Sequence, residues 1–278
     1  MKGKMVLIEI KRNPEEPHSI EEWEARIKTT WENAPEYHFN PKSPKHPLII
    51  CDGNRTAAKE INLKPNLGHQ AGVETIKGIA RTMRKWGIPM SSFWVWSTEN
   101  QERRDIEQVN FIMDLAYKNF TDPSLLEEFK EDQVKFNHIG RKDRLPEKVT
   151  SAIENLEKET KNFTSFQLNL LMDYGGRDEI LRATRKIALK VKDGALEPED
   201  INEEIFSSNL DTAGLPDPDL IIRTGEKREG IFHTSGLEIW QTHYSVWITL
   251  KTLFPSLQPE EIIETFGKFE TVERRFGG

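Results

Sequence analysis

Between residues 48 and 222 the chain alternates short apolar runs with longer stretches whose apolar positions recur every three or four residues. The runs Leu48–Cys51, Phe93–Trp96, Val134–Ile139, Phe166–Met172 and Leu220–Ile222 have the length and near-continuous apolarity of buried strands. Between them, Val73, Ile76, Ile79 and Met83 mark one helix, and Val109, Ile112, Leu115 and Ala116 a second. Further helices fall around Val149–Leu156 and Ile180–Val191. Strand and helix in alternation predict an α/β fold, with a central, mostly parallel sheet flanked by helices.

Residues 1–45 stand outside this alternation and read as an N-terminal extension of a domain formed by residues 46–278. A strand-like piece at Met5 to Ile10 and a proline-rich break come first. Ser19 with Glu22 then forms a capping box that opens a helix, on which Ile20, Trp23, Ile27 and Trp31 share one face. Pro41, Pro44 and Pro47 mark a linker.

In a parallel sheet, ligands gather beyond the carboxyl ends of the strands, and here those ends are polar. They read Asp52-Gly53-Asn54-Arg55, Ser97-Thr98-Glu99-Asn100, Asp173-Tyr174-Gly175-Gly176-Arg177 and Arg223-Thr224-Gly225, which predicts four exits converging on one edge. The first is the most informative, because a carboxylate, a flexible glycine and a short amide end a buried run, a layout suited to a diphosphate and a metal ion. Taken alone, each stretch also reads as a turn, a helix cap or an ordinary loop.

Composition narrows the classes. With 36% apolar and 31% charged residues in a chain of 278, a sizeable folded core is expected. A formal charge of -7 argues against coating nucleic acid, while leaving room for a local basic pocket. One cysteine, Cys51, excludes an internal disulfide and a thiolate-only metal site, and its apolar setting suits a small core residue. No stretch approaches the ~20 apolar residues of a membrane span, and the start Met1-Lys2-Gly3-Lys4 lacks a signal-peptide core. The expected location is the cytoplasm, with at most peripheral membrane contact.

In order and spacing, several stretches together resemble the cis-prenyltransferases, the undecaprenyl diphosphate synthase family, over roughly Pro47 to Gly278. They are Asp52-Gly53-Asn54, Gly68-His69-xx-Gly72, Ser97-Thr98-Glu99-Asn100-xx-Arg103-xxx-Glu107, Asn169 to Arg177, Asp219 to Gly225, Trp240-Gln241 and Arg274-Arg275-Phe276-Gly277-Gly278. The resemblance implies a cis-prenyltransferase-like fold with a hydrophobic tunnel, and an enzyme joining an allylic diphosphate to isopentenyl diphosphate with cis geometry. It also implies Mg2+ as cofactor and a homodimer.

Under this resemblance Asp52 is catalytic, holding Mg2+ and the allylic diphosphate, while Gly53, Asn54 and Arg55 cradle the phosphate oxygens. His69 and Ser97 lie near the leaving diphosphate and the proton to be lost, and Asn100 positions the reacting ends. Arg103, Arg223 and Ser235 bind the second diphosphate, with Arg228 or His233 supplying a further contact. Arg275 belongs to a tail that crosses the dimer interface. Val73, Ile76, Ile79, Val95, Phe111 and Ile112 are tunnel candidates, although their spacing equally fits an ordinary core.

The chain also departs from the family pattern. Thr56 and Ala57 stand where the family has an arginine and a tryptophan, and Pro65 and Asn66 stand where a second arginine is expected. Gln101 replaces an aromatic residue, the stretch after Gly225 is longer, and Val246 occupies the place of a metal-binding glutamate. Valine cannot ligate Mg2+, so the metal would rest on Asp52, diphosphate and water alone unless Glu226, Glu229 or Glu238 comes close. Ordinary condensation therefore ranks first. A branched or cyclised product, or prenylation of an acceptor other than isopentenyl diphosphate, comes next, followed by a non-catalytic partner subunit.

Overall fold

A computed structural model describes residues 16–226 and 233–273. The strand-like piece at Met5 to Ile10, Arg228, Glu229 and the tail bearing Arg275 lie outside the described residues. The first half of the chain runs α1 (Ile20–Glu32), β1 (Pro47–Ile50), α2 (Asn54–Glu60), α3 (Leu67–Lys85), β2 (Met90–Ser97), α4 (Thr98–Arg103), α5 (Ile106–Phe120), α6 (Pro123–Glu131) and β3 (Val134–Ile139). It continues through α7 (Glu147–Thr160), β4 (Phe166–Tyr174), α8 (Gly176–Lys192), α9 (Glu203–Ser207), β5 (Leu220–Arg223), β6 (Val246–Thr249) and α10 (Pro259–Glu270).

The six strands form one sheet in the order β3-β4-β2-β1-β5-β6, every neighbouring pair parallel, so the expected α/β class holds. From β1 the chain first builds outward through β2, and later returns to the other side of β1 with β5 and β6. β1 is therefore the switch point of the topology, where a crevice opens beyond the strand ends. All four of its residues are buried. Ile49 packs into the main core with the α1 and α3 side chains, while Leu48 and Ile50 pack on the opposite face.

The extension helix is part of this core. Trp23, Ile27 and Trp31 are buried against α3, where a Cβ at Gly78 would lie only 2.4 Å from Trp31 Cγ. Ser19 Oγ caps α1 by accepting the Glu22 N–H, as expected. The Glu22 carboxylate, however, accepts the N–H of His18, one residue before the cap, at 2.9 Å.

The proline-marked segment is fastened down, unlike a free linker. Tyr37 Oη, Asn40 Nδ2 and Ser43 Oγ all donate to Glu270 Oε1 of α10, at 2.6, 2.9 and 3.1 Å. β6 and the helices α4, α6, α9 and α10 were not expected from the apolar pattern; they are short or carry their signal in caps. The start of α10 illustrates this, with Pro259 in its first turn and Gln258 and Glu261 as a reciprocal capping box.

Candidate active site

β1 and β5 end side by side, Ile50 level with Arg223, and both stop beside Trp94 of β2, which runs on to Ser97. The buried Thr224 stitches that edge together. Its hydroxyl lies 3.0 and 2.9 Å from the carbonyls of Ile50 and Asp52 and accepts the Asp52 N–H at 3.1 Å. The N–H of Phe254 also donates to the Asp52 carbonyl, at 3.0 Å, so the backbone carrying the carboxylate is held from both sides. Gly53 follows with φ of +99°, and a Cβ there would sit 2.7 Å from Leu253 Cδ2; both conformation and space require glycine.

Asn54 opens α2 with its side chain buried in a notch on α3. A Cβ at Gly68 would lie 1.9 Å from the Asn54 carbonyl oxygen, and one at Gly72 only 2.4 Å from Asn54 Oδ1. Two glycines one turn apart on a helix face thus explain the Gly68-His69-xx-Gly72 spacing. Asn54 Nδ2 donates to the Cys51 carbonyl at 2.8 Å, and Oδ1 is buried with no partner among the described residues.

Charge collects next to this notch. The His69 imidazole is pushed down to about 4 by burial first, then by the charges of Arg104 and Arg55. Burial, then Arg55, also lowers Arg104. Among the described residues neither arginine has an ion-pair partner, and Arg55 Nε is buried without a hydrogen bond. Two like charges held in no ion pair, with Asp105 and Asp52 acting on Arg104 only from beyond ion-pair distance, beside a histidine that stays neutral at physiological pH, make a place where an anion is stabilised.

Asp52 and Arg223 meet across the strand ends. Arg223 Nη2 donates to Asp52 Oδ2 at 2.9 Å, while Nη1 donates to Ser235 Oγ at 2.9 Å and to the His233 carbonyl. The Glu226 carboxylate lies 3.4 Å from Arg223 Nε. Ser97 and Asn100 cap α4 reciprocally: Ser97 Oγ accepts the Asn100 N–H at 3.0 Å, and Asn100 Oδ1 accepts the Ser97 N–H at 3.2 Å. The bland reading of this stretch as a helix cap is therefore true, yet both residues also line the mouth of the site. Gln101, in place of an aromatic ring, accepts the Trp96 indole N–H at 2.9 Å.

Together Asp52, Gly53, Asn54, Arg55, His69, Ser97, Asn100, Arg223 and Ser235 line a polar mouth of about 540 Å³. Lys59 and Arg104 line it as well and were missed in the sequence. Arg103, at the end of α4, is exposed and does not line it, and His233 takes part through its carbonyl. Three of the four polar strand ends converge; the fourth does not. Asp173, fully buried at the end of β4, is held by Arg144, whose Nε donates to Asp173 Oδ2 at 2.8 Å, and β2 separates it from β1.

The mouth opens into an apolar tunnel between α3, α5 and the sheet, with about 140 Å³ of interior space. Cys51, Asn54, His69 and Val95 line both. Cys51 is thus partly exposed at the junction of mouth and tunnel. Val73, Ile76, Val95 and Ile112 line the tunnel as anticipated. Ile79 is instead wholly buried in the core, and Phe111 faces a separate groove beside α1 and α3. A three-residue step along a helix is enough to turn a side chain from lining to core.

No group of three or more His, Cys, Asp or Glu is placed to hold a metal among the described residues. Val246 sits in β6, Glu226 is joined to Arg223, and Glu238 is wholly buried, its carboxyl raised by burial and by Glu179. Asp52, with half its side chain exposed, is one oxygen donor at the mouth. That suits Mg2+, which commonly binds through one or two carboxylates, water and the phosphates of its substrate.

A cationic mouth leading into an apolar tunnel, at the carboxyl edge of a parallel sheet, defines a protein built to hold a phosphorylated head and a hydrocarbon tail together. The chain belongs to the undecaprenyl diphosphate synthase family: the family model described as "Putative undecaprenyl diphosphate synthase" matches residues 50–277. It is accordingly a transferase of the isoprenyl class.

Relatives carry several names. The tritrans,polycis-undecaprenyl-diphosphate synthase (geranylgeranyl-diphosphate specific) of Methanocaldococcus jannaschii is 39% identical over 237 residues, covering 84% of this chain and 82% of its own. A chloroplastic (2Z,6Z)-farnesyl diphosphate synthase of Solanum lycopersicum is 38% identical, covering 84% and 79%. The solved structure of lavandulyl diphosphate synthase from Lavandula x intermedia, in complex with dimethylallyl diphosphate, superposes with a TM-score of 0.80 at 31% identity, covering 86% of this chain and all of that one.

Proposed function

We propose that the chain condenses an allylic diphosphate with isopentenyl diphosphate in cis geometry, within the unit formed by residues 46–278. The observation that supports this reading most is the direct opening of a mouth with unpaired arginines into an apolar tunnel, the two sharing Asn54 and His69. One site thereby holds the anionic head of the allylic substrate and accepts its tail.

In this reading Asp52, the Gly53 and Asn54 backbone, Arg55 and Arg104 hold the allylic diphosphate. Arg223 and Ser235 take the second diphosphate, with Arg103 as an outer contact. As the allylic C–O bond breaks, negative charge grows on the leaving diphosphate, and fixed guanidinium groups aimed at it lower the barrier. Carbon–carbon bond formation is completed by loss of a proton from the isopentenyl unit, for which the neutral His69 and the leaving oxygens are acceptors. Asn100, locked by its cap, orients the reacting ends. Mg2+, held by Asp52 and the substrate, would supply further neutralisation of the leaving group.

Incubation with dimethylallyl, geranyl or farnesyl diphosphate plus isopentenyl diphosphate, followed by mass spectrometry, tests this reading. A ladder of longer diphosphates that disappears with EDTA and with Asp52→Ala is expected; no consumption of the allylic substrate would overturn it. The lone Asp52 carboxylate favours a second reading, a diverted prenyl product, which would appear as allylic diphosphate consumed without a longer linear one. A homodimer and a cytoplasmic, at most peripherally membrane-bound, location remain part of the proposal. Among the described residues no helix is long and apolar enough to cross a membrane.

A further inference from the structure

Glu238 has no part in the chemistry proposed above, yet it is a carboxyl group with only 1% of its surface exposed. Its Oε2 is buried with no hydrogen-bond partner, and the side chain belongs to no ion pair among the described residues. A carboxylate only accepts hydrogen bonds, and an isolated buried charge is costly. The groups facing Glu238 oppose its ionisation further. They are the Glu179 carboxylate from α8, that of Asp217 from the segment before β5, and the Tyr174 hydroxyl from β4, which already donates to Glu179 Oε2 at 2.6 Å. The α8 cation Arg182 is turned to Asp178 and Asp211, at 2.7 and 2.5 Å, and His243 acts on Asp217. Burial first, then Glu179 and Asp217, raises the Glu238 carboxyl.

Protonated, the same group becomes a donor, and an acceptor in need of one is close along the chain. Glu238 and Gln241 are three residues apart in a helical turn closed by the Thr242 N–H on the Glu238 carbonyl, at 3.2 Å, a spacing that brings side chains together. Gln241 Nε2 donates to Glu179 Oε2 and Thr212 Oγ1, at 3.0 and 2.6 Å, while its Oε1 is buried without a partner. One proton on Glu238 supplies the donor that this interior lacks.

The segment held in this way reaches the mouth. Leu237, fully buried, packs with Ile50, Trp94 and Tyr174, and the Gly236 carbonyl accepts the Gly176 N–H at 2.7 Å. Gly176 is approached so closely that a Cβ there would lie 2.9 Å from the Ile239 nitrogen. Ser235, whose hydroxyl receives Arg223, is left-handed at φ of +52°, a conformation that a non-glycine residue keeps only where its surroundings impose it. We propose that Glu238 is a positioning residue for the second diphosphate: its neutral carboxyl seats the segment from Ser235 to Gln241, and its ionisation unseats Ser235. The inference rests on the reading of Arg223 and Ser235 as the second-diphosphate site. An ionised Glu238 must reach water, and the segment cannot follow it without giving up the burial of Leu237 and the Gly236 bond, which parts Ser235 from Arg223. Only the protonated fraction then binds, so the apparent dissociation constant rises about tenfold for each pH unit beyond the carboxyl's midpoint.

The test is calorimetric titration with isopentenyl diphosphate from about pH 5 to about pH 9.5, for wild type and for Glu238→Gln, which holds a neutral donor at every pH. Mg2+ and a non-reactive allylic thiodiphosphate fill the first site throughout. The ratio of the two dissociation constants, wild type over variant, removes the ionisation of the ligand itself. It should be close to one at the acid end and climb by about tenfold or more toward the alkaline end. The ratios of kcat at saturating isopentenyl diphosphate and of KM for the allylic diphosphate should stay constant. Glu238→Leu, neutral but without a donor, gives a second comparison should the glutamine variant fold poorly. Infrared spectra at neutral pH should show a protonated-carboxyl C=O band in wild type that both variants lack. A binding ratio flat across the range, or no carboxyl band lost on substitution, would overturn the role of Glu238 while leaving condensation intact. A wild type that binds no isopentenyl diphosphate at any pH would instead overturn the second-diphosphate reading of Arg223 and Ser235, and this inference with it.

Discussion

The same substitution, glycine to alanine in the interior of a helix, should have opposite effects at Gly72 and Gly267. In α10, Gly267 is exposed and a Cβ added there meets nothing within 4 Å, so only helix propensity acts. Gly267→Ala should stabilise the protein by about 0.5–1 kcal/mol. At Gly72 the same gain is available, but the new Cβ would lie 2.4 Å from Asn54 Oδ1 and 3.4 Å from its Cγ. Either Asn54 or the helix must shift, at roughly 1–3 kcal/mol for overpacking. If Asn54 rotates, it also gives up its bond to the Cys51 carbonyl, about another 1 kcal/mol. The net expectation for Gly72→Ala is a loss of about 1–3 kcal/mol together with a drop in prenyl transfer, because Asn54 stands between mouth and tunnel. Urea unfolding of the two variants, with unchanged slope, measures the first part, and product formation measures the second. A Gly72→Ala protein as stable as Gly267→Ala and fully active would refute the account of the notch.

Other expectations follow from the same geometry. Arg104→Gln should weaken binding of inorganic diphosphate by roughly 10–100-fold in calorimetry, and Arg104→Lys should weaken it less. Equal affinity in all three proteins would remove Arg104 from the anion site. Arg144→Ala leaves the fully buried Asp173 carboxylate without its partner and should destabilise the fold by about 3–5 kcal/mol, part of which Asp173→Asn recovers in the same background. His138, pushed down to about 4 mainly by burial, stays neutral in the fold while the unfolded chain protonates near 6.5. Its contribution is thus complete above about pH 6.5 and lost as the pH falls toward 4. The stability difference between wild type and His138→Gln should shrink from pH 7 to 4.5, and a constant difference would contradict the assignment.

Sheet and helices were legible where apolar residues recur without interruption. β3 runs from Val134 to Ile139 as read, and the helices through Val73 and Val109 are present. The mouth was legible because its strand ends carry unlike polar groups after apolar runs. What escaped depends on rotation or on remote partners. Arg103 and Arg104 are adjacent, and a step of one residue near a helix end turns a side chain by roughly 100°, so the sequence alone could not choose the one that lines the mouth. Asp173 ends a strand much as Asp52 follows one, but Arg144, 29 residues away, neutralises it in the interior. The proline-marked segment from 41 to 47 reads as a spacer until Glu270, near the other end of the chain, is seen to gather Ser43 from it together with Tyr37 and Asn40 just before it.

The contact between Asp52 and Arg223 makes the two halves of the mouth thermodynamically dependent on each other. In the free protein the carboxylate shares the arginine with Glu226. A cation arriving at Asp52 replaces the guanidinium as the carboxylate's partner and leaves Arg223 with Glu226 alone, which favours a further anion there, while an anion arriving at Arg223 releases the carboxylate for a cation. Linkage makes such help reciprocal, so each ligand should raise the affinity of the other by the same factor. Cooperative filling of the mouth is therefore written into a single ion pair, with no movement of the backbone required.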